Sequence, residues 1–344
     1  MDTVLMSHGS GGTLMKRLIE ELFYEEYGSK PLLQGDDAAD LSCEEMQQDP
    51  GSRLAFSTDT FVVTPHFFPG GDIGRLAICG TVNDVATSGA KVRYLSCGFV
   101  LEEGFLMDDL KRICHSMAQA AQEADVQIVT GDTKVVDRGH GDGIFINTSG
   151  VGLIPAGRRL GGALCQPGDK ILLSGTIGDH GIAIISTREG LSFSTTIESD
   201  AAPLNHLISA VLEVAPQTRC FRDPTRGGLS STLNELALQS NTVMTINEES
   251  VPVNDQVNGA CEMLGYDVFQ VANEGKIVCV VAAQEAEAAL NAMRCSKYGE
   301  NAAIIGEVTS VQAQDGGPKV YLATTFGSRR ILDMLVGEQL PRIC

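Results

Sequence analysis

Six aspartates of this 344-residue chain stand beside glycine or other small residues, where the pattern predicts loops or the edges of helices. They are Asp36, Asp37, Asp59, Asp84, Asp132 and Asp223. Carboxylates that crowd together are costly unless a cation neutralises them, and magnesium takes one or two carboxylates together with waters and phosphates. One such aspartate is also typical of an ordinary turn. Six of them around a glycine loop favour a site for a magnesium nucleotide.

Three further features could bind the phosphates of such a nucleotide. Residues 7–12 form a glycine–serine loop before an amphipathic helix, and amides bared at a helix N-terminus attract anions. The loop lacks the Gly-Lys-Ser/Thr ending of a Walker loop, and a flexible leader with an N-cap explains it equally well. Lys134 could meet a phosphate as a point charge or be a surface lysine. Arg226 could clamp a phosphate through its planar fork or pair with Asp223.

Two more groups carry chemistry of their own. Cys344 is the final residue, and Gly337 and Pro341 before it disfavour a continuous helix, which predicts a mobile arm that bears a thiol. A partner could modify this thiol, and the arm could insert it into a pocket; the alternative is a chain that merely ends in cysteine. Glu274 follows Asn273 at the mouth of an apolar strand, where it would face a cleft or be an exposed turn residue.

Helices and strands alternate along both halves of the chain and would position these groups. Helices are predicted after residue 12, after residue 72, and over 108–124, 179–189, 203–213, 227–240, 257–264 and 284–294. Strands are predicted over 54–58, 61–63, 92–101, 126–130, 144–154, 170–174, 242–246, 276–282, 302–309 and 318–323. Residues 155–169 contain two glycine clusters and no strong periodicity, so we place a domain boundary there. The pattern predicts two domains with α/β or α+β layering.

Composition limits the classes of partner. A net charge of -19 and a pI near 4.6 argue against a nucleic-acid partner, because phosphate backbones would be repelled. The sequence has no run of about 18 apolar residues and no basic-then-apolar N-terminus, so we predict no membrane span and no secretion signal. The ten cysteines are scattered without a CxxC pair. This argues against a zinc knuckle or a disulfide framework and predicts reduced thiols in a cytoplasm.

Several motifs together resemble the ATP-using superfamily of aminoimidazole ribotide synthetase, which also includes selenophosphate synthetase and thiamine-monophosphate kinase. They are Gly35-Asp36-Asp37-Ala38-Ala39, Thr58-Asp59-Thr60, Val82-Asn83-Asp84, Gly131-Asp132-Thr133 and Asp223-Pro224-Thr225-Arg226-Gly227-Gly228. Three more narrow the resemblance to the HypE family of hydrogenase maturation carbamoyl dehydratases. They are Ser7-His8-Gly9-Ser10-Gly11-Gly12, Val271-Ala272-Asn273-Glu274-Gly275 and Pro341-Arg342-Ile343-Cys344. The likeness covers essentially all 344 residues.

The resemblance implies a two-domain, PurM-like architecture. It implies an N-terminal ATP-binding and dimerisation domain over 1–155, a C-terminal α+β sandwich domain over 165–326, and a flexible tail over 327–344. The N-terminal sheet would form a barrel with its twin in a homodimer, and ATP would lie between the domains. The implied magnesium ligands are Asp37, Asp59, Asp84 and Asp223. The implied nucleotide site also includes Gly11, Gly12, Asp36, Thr60, Asn83, Asp132 and Arg226.

The resemblance also implies a reaction on the tail. A carbamoyltransferase resembling HypF would load a carbamoyl group onto the Cys344 thiol. ATP-dependent dehydration would convert it to a thiocyanate, and the cyano group would pass through a HypC–HypD complex to the iron of a [NiFe] hydrogenase. Phosphoryl transfer turns the amide oxygen into a leaving group, and Lys134 would help to neutralise the phosphates. We predict Glu274 as the base that takes the nitrogen protons, with Lys134 or His8 as alternatives.

Two rival functions stay open at this point. A kinase like selenophosphate synthetase would use the same aspartates, but that family typically carries a cysteine or selenocysteine in the N-terminal glycine loop. This chain has no cysteine before Cys43. The other rival is a non-catalytic nucleotide-binding scaffold that recruits partners through its tail, since one fold hosts several functions. ATP hydrolysis that requires a carbamoylated tail would distinguish the enzyme from the scaffold.

Overall fold

The computed structural model describes residues 3–10, 12–34, 38–42, 44–191, 196–310, 319–334 and 343. Four predicted site residues lie outside the described residues, namely Gly11, Asp36, Asp37 and Cys344. Helices and strands alternate through both halves, as the periodicity predicted. The cysteines that the structure describes are free thiols. Among the described residues, no helix combines the length and the apolar character that crossing a bilayer requires.

The first half is built on a mixed four-stranded sheet. Its helices are α1 (Thr13–Leu18), α2 (Tyr24–Tyr27), α3 (Glu44–Gln48), α4 (Ile73–Thr87) and α5 (Met107–Glu123), and a π-helical turn at Ile19–Phe23 joins α1 to α2. Its strands are β1 (Arg53–Phe61), β2 (Phe67–Phe68), β3 (Gly71–Asp72), β4 (Lys91–Glu102), β5 (Gln127–Val136) and β6 (Ile144–Ile154). The sheet order is β1-β6-β4-β5, in which only β4 and β5 run parallel, and β2 and β3 form a separate hairpin.

One face of this sheet is covered by helices, whereas the other is open. Helix α4 packs closely on β6, because a Cβ at Gly152 would lie 2.7 Å from the Val85 side chain. Asp72 caps this helix by accepting hydrogen bonds from the backbone N–H groups of the first turn. On the opposite face, Leu54 and Phe56 of β1 are 61% and 71% exposed. Large apolar side chains on an uncovered sheet face indicate an interaction surface.

Two strand boundaries differ from the prediction in ways that matter for the site. Strand β1 is one continuous strand rather than two, so Asp59 lies inside it and not in a loop. Strand β5 likewise continues through Asp132 to Val136. A polar residue is tolerated within a strand where its face of the sheet meets solvent or a cleft, since successive side chains point to opposite faces.

The second half is an α+β layer built on a seven-stranded sheet. Its helices are α6 (Asp179–Glu189), α7 (Asn205–Val214), α8 (Gly228–Ser240), α9 (Asp255–Leu264) and α10 (Ala286–Cys295). Its strands are β7 (Lys170–Leu173), β8 (Thr218–Arg222), β9 (Val243–Asn247), β10 (Val278–Val281), β11 (Ala303–Ser310), β12 (Lys319–Ala323) and β13 (Arg329–Ile331). The order is β13-β12-β9-β11-β7-β10-β8, and the only parallel neighbours are β9 and β12. Short 3-10 turns occur at Met6–His8, Leu32–Gln34, Gly162–Leu164, Glu248–Ser250, Val268–Gln270 and Ala283–Glu285.

Strand β10 of the second sheet is buried on both faces. In β10, Val278 and Val280 belong to a core beneath α8, while Cys279 and Val281 belong to a core with α6, α7 and α10. A strand buried on both faces reads as a continuous apolar run, as this one does. The second of these cores is continuous with the core of the first half, so the two halves pack firmly together.

The first residues of the predicted tail form a strand of the second sheet. Strand β13 pairs with β12 through Tyr321 and Ile331, so the first part of the predicted tail belongs to the sheet. Leu332 is also buried. Strands β8 and β13 were not predicted from the sequence.

Candidate functional site

A polar cleft lies where the two halves meet. It is about 470 Å³ in volume, within the range of small-molecule sites, and both halves contribute acidic side chains to its wall. Those discussed below are Asp59 and Asp84 from the first half and Asp223, Arg226 and Glu274 from the second. Five of the predicted site residues are thus brought together by the fold.

The close packing of α4 on β1 brings Asp84 and Asp59 to the same side of the sheet. At Gly80 of α4 a Cβ would lie 2.9 Å from the ring of Phe61, so only glycine permits this approach. Asp84 follows one turn later along the helix. The Ser57 hydroxyl donates a 2.9 Å hydrogen bond to the Asp84 carboxylate, which fixes its orientation.

The turn between β8 and α8 presents Asp223 and Arg226. It needs left-handed backbone at Gly227 and Gly228, where φ is +77° and +60°. A Cβ at Gly228 would lie 2.6 Å from the carbonyl oxygen of Val271, so the turn packs directly against the segment that leads to Glu274. This contact explains why two distant motifs share one cleft.

The electrostatics of the cleft favour a bound cation. Burial raises the pKa values of Asp59 and Asp84, and the charge of Asp59 raises that of Asp84 further. Burial, followed by the charge of Asp84, raises the pKa of Asp223 to about 6. Carboxyl groups that resist ionisation because of their neighbours release that cost when a cation neutralises them. Arg226 partly neutralises Asp59, because its positive charge opposes the rise that burial causes in the pKa of that carboxyl group.

Glu274 is the least solvated acid of the cleft. It is 4% exposed, which excludes the alternative of an exposed turn residue. Burial, then the charges of Asp223 and Asp200, raise its pKa well above the usual range. Its Oε1 atom is buried without a hydrogen-bond partner among the described residues. A buried carboxyl oxygen that lacks a partner marks a place where a ligand group can bind.

The acidic side chains of the cleft are of the kind that could hold magnesium together with a nucleotide. Asp59, Asp84 and Asp223 line the same cleft. In the part of the chain that the structure describes, no three His, Cys, Asp or Glu side chains are close enough to hold a metal ion directly. Magnesium commonly keeps several waters and binds through one or two carboxylates and substrate phosphates, so these aspartates could hold it with few direct ligands.

Asp132 and Lys134 lie away from the acidic cleft of their own chain. Their side chains pair with each other at 3.1 Å on the open face of the sheet, and both are exposed. Across the sheet, Asp132 is in register with Gly98 of β4, Asn147 of β6 and Thr60 of β1. Thr60 is therefore three strand spacings, or about 14 Å, from Asp132. Thr60 faces the same open side and accepts a hydrogen bond from Asn147. Asp132, Lys134 and Thr60 do not line the cleft.

Asn83 also points away from the cleft and acts as a clamp between the halves. Its Nδ2 donates to the carbonyl oxygens of Ala202 at 3.0 Å and of Glu274 at 3.4 Å. Its Oδ1 accepts from the Leu204 N–H at 2.7 Å. The hydrogen-bonding capacity of this fully buried amide is thus mostly taken up by the protein itself.

The N-terminal residues of the predicted site are also apart from the acidic cleft. Gly12 precedes α1 with a φ of +82° and borders a separate depression beside Met15 and Lys16. His8 is buried; its Nδ1 accepts a hydrogen bond from the Leu5 N–H, and burial lowers its pKa.

Sequence reasoning missed other residues of the cleft. Ser57 lines it, and a signal existed, because Ser57 and Asp59 are two residues apart in a strand and therefore share a face. Arg222 and Glu235, which form an ion pair, also line it, as does Thr232. No sequence pattern distinguishes that pair from surface charges.

Comparisons with known proteins identify the family of the chain. Models of the AIR synthase related proteins match residues 35–154 (N-terminal domain) and 166–316 (C-terminal domain). The carbamoyl dehydratase HypE of Cupriavidus necator is 53% identical over 339 residues, which are 98% of this chain and 94% of the relative. A crystal structure of the hydrogenase maturation protein HypE in complex with ATP matches with a TM-score of 0.94 at 49% identity, covering 99% of this chain and 100% of that one.

A crystal structure of a HypE–HypF complex matches with a TM-score of 0.79 at 46% identity, covering 92% of this chain and 99% of that chain. The resemblance inferred from the motifs and the two-domain PurM-like fold are both confirmed. The chain belongs to the HypE family of hydrogenase maturation proteins, within the AIR synthase related proteins.

Proposed function

We propose that this chain is an ATP-dependent carbamoyl dehydratase that acts on its own C-terminal thiol. A carbamoyl group on Cys344 would be dehydrated to a thiocyanate, the source of the cyano ligand for the iron of a [NiFe] hydrogenase. Membership of the HypE family supports the reaction. The structural observation that carries it is the buried Oε1 of Glu274, which has no hydrogen-bond partner in the described part of the chain and lies in a cleft shared with Asp59, Asp84 and Asp223.

The cleft suits the phosphates of ATP, the nucleotide present in the structure of a relative. Asp59, Asp84 and Asp223 would hold magnesium, with Asp37 predicted as a fourth ligand outside the described residues. The ion would supply positive charge to the phosphates. Arg226, exposed at the rim, would contact a phosphate through its guanidinium.

The reaction needs two changes at the carbamoyl group. The carbamoyl oxygen would take the γ-phosphoryl group of ATP, which releases ADP, and the nitrogen would lose its first proton as a C=N bond forms. The oxygen would then leave as phosphate while the nitrogen loses its second proton and C≡N forms. Glu274 would accept a nitrogen proton at Oε1. Burial, then the charges of Asp223 and Asp200, raise its pKa, which makes this carboxylate a stronger proton acceptor.

We propose a homodimer through the open face of the first sheet, whose exposed Leu54 and Phe56 form an apolar surface. A two-fold interface that closes both sheets into a barrel joins β1 of one protomer to β5 of its partner. Asp132 and Lys134 lie on β5, so in this dimer their strand would border β1 of the partner. The same pairing protects the edges of both sheets.

We propose a HypF-type carbamoyltransferase as the partner that loads Cys344, since a relative has been solved in complex with HypF. The cyano group would pass to a HypC–HypD complex in the cytoplasm. For the division of the chain we propose an N-terminal domain over 1–155, a C-terminal domain over 165–326, and a reactive arm within 327–344.

Intact-mass analysis tests the reaction. The full chain is incubated with ATP, magnesium, carbamoyl phosphate and the transferase, and the adducts on Cys344 are followed with time. The wild-type protein should pass from a carbamoyl to a cyano adduct, whereas Glu274→Gln should accumulate the carbamoyl form. Glu262→Gln, an exposed glutamate on α9, is the matched control. Dehydration at the normal rate by Glu274→Gln would remove Glu274 as the base, and adducts that persist in Cys344→Ala would place the chemistry elsewhere.

A further inference from the structure

Ile343, the neighbour of the reactive terminal residue, is docked inside the protein. It is 5% exposed and belongs to the apolar core that spans both halves. Its main-chain carbonyl oxygen lies 2.5 Å from Nε2 of His180. His180 lies in the first turn of α6 and is fully buried. The end of the arm is therefore held by a specific polar contact as well as by apolar packing.

The hydrogen bonds around His180 have a single consistent direction. A carbonyl oxygen only accepts, so Nε2 carries the hydrogen that binds Ile343. Nδ1 lies 2.8 Å from the Ser199 hydroxyl, and that hydroxyl accepts from the Ala201 N–H at 3.2 Å. The Ser199 hydroxyl hydrogen therefore points to Nδ1. Burial lowers the pKa of His180, which agrees with this neutral tautomer.

The ring is further fixed from the first half of the chain. The edge of Phe68 meets the His180 ring at a centroid distance of 5.6 Å and an angle of 86°. The Ser199 N–H donates to the carbonyl oxygen of Pro69 at 2.8 Å. Both contacts come from the β2–β3 hairpin. A ring held on two sides by both halves presents its Nε2–H in one direction.

The same segments also hold Glu274. Asp200, which follows Ser199, accepts a 3.0 Å hydrogen bond from the Glu274 N–H. A Cβ at Gly275 would lie 1.7 Å from the Asp200 carbonyl oxygen, so the two segments approach as closely as backbones can. The Gly181 N–H, one residue beyond His180, donates to Ala272 at 3.1 Å. The docking contact and the predicted base are thus parts of one rigid unit.

A loaded thiol needs two states of the arm. The transferase must reach Cys344 from outside, whereas dehydration needs it inside, next to the Glu274 turn. Successive Cα atoms are about 3.8 Å apart, so a docked Ile343 leaves Cys344 only the reach of one residue. A contact shifts such an equilibrium only if it is made in one state and not in the other. The His180–Ile343 hydrogen bond is made only when the arm is docked.

We infer that His180 is the positioning residue that docks the C-terminal arm: its Nε2–H binds the carbonyl of Ile343, the residue before Cys344, and the segments around His180 also hold Glu274. This inference rests on the proposed function for its role in the reaction, but the docking itself does not. His180 touches neither ATP nor the reacting atoms in this scheme. It acts on the reaction by setting how often the thiol is inside.

Thiol protection tests the docking independently of catalysis. The alkylation rate of Cys344 by iodoacetamide is measured by peptide mass spectrometry, which separates it from the other cysteines. Losing a buried hydrogen bond should raise this rate about tenfold in His180→Leu. His180→Gln, whose amide can donate in place of Nε2–H, should recover part of the protection. His206→Leu is the control, because Nε2 of that exposed histidine also contacts a backbone carbonyl, that of Glu123.

Single-turnover kinetics test the role in the reaction. In His180→Leu, carbamoyl loading should be as fast as in the wild-type protein or faster, while dehydration falls about tenfold and ATP affinity is unchanged. Ile343→Ala changes the arm and leaves His180 in place. It should likewise leave carbamoyl loading as fast or faster while dehydration slows. A merely structural role would slow both steps together.

The outcomes separate the two proposals. Unchanged alkylation of Cys344 in both His180→Leu and Ile343→Ala would overturn the docking role. Loading and dehydration that fall in parallel would overturn it too. If the wild-type protein forms no thiocyanate but His180→Leu still exposes Cys344, the proposed function fails and the docking stands.

Discussion

Asp223 offers a quantitative test of the acidic cleft. Its pKa is raised to about 6 from an ordinary value of 3.8, chiefly by burial and by the charge of Asp84. One pKa unit corresponds to about 1.4 kcal/mol, so keeping this carboxylate ionised in the folded protein costs about 3 kcal/mol. Because the folded pKa is the higher one, the penalty is absent below pH 3.8 and grows as the pH rises towards 6.

Asp223→Asn should remove this pH-dependent penalty. The free energy of unfolding of the variant, relative to the wild-type protein, should rise between pH 3.8 and about 6 and then stay level. The total rise should be about 3 kcal/mol. The fall in negative charge also lowers the pKa values of Asp59 and Asp84, which adds to the rise in the same direction.

Urea denaturation over a series of pH values, with a chelator and without nucleotide, measures this difference. Asp132→Asn is the control: its carboxylate is exposed, and the hydrogen bond from Lys134 lowers its pKa, so any effect should have the opposite sign. Magnesium with ATP should reduce the gain of Asp223→Asn, since a bound cation removes the penalty from the wild-type protein. A difference that is the same at every pH would refute the electrostatic account of the cleft.

Two further substitutions test the other parts of the arrangement. Asn83→Ala should lower the free energy of unfolding by about 2–5 kcal/mol, because the Leu204 N–H and the Ala202 carbonyl lose their buried partner; a near-neutral urea denaturation curve would contradict the clamp. Phe56→Glu should shift the proposed dimer to monomer in sedimentation velocity, since it places a charge on the open apolar face. Phe326→Glu, at a phenylalanine that is 95% exposed in the second half, is its control, and a dimer that survives Phe56→Glu would show that the sheet face is not the interface.

The periodicity of the sequence determined most of the secondary structure. Strand β6 and helix α6 have the bounds that were predicted, 144–154 and 179–189. The residues of β6 alternate between buried and more exposed positions along most of the strand, and α6 is bounded by Gly178 and Gly190. Strand β8 was missed because only Cys220 and Phe221 of its five residues are apolar. The combination of motifs also sufficed to identify the family, since glycine and aspartate at fixed spacings reflect a shared backbone.

The tertiary structure decided which of the similar residues share a site. Asp59 and Asp132 follow the same local pattern, yet they lie one register apart in one sheet and so point to opposite faces. Asn83 and Asp84 are adjacent, but consecutive helix positions diverge by about 100°, so one clamps the second half and the other faces the cleft.

The sequence also could not predict which polar side chains are buried, because burial depends on contacts between distant segments. The motif around Glu274 predicted a turn, but only the packing of β8, α8 and the Asp200 segment around it removes water from its carboxyl group. The docking of Ile343 on His180 joins residues 163 positions apart, for which no local pattern exists. The sequence by itself determined the elements and the chemical groups, because these depend on neighbours along the chain. Contacts between distant segments decided which groups meet and which are buried enough for their pKa values to shift. Only the tertiary structure contains those contacts.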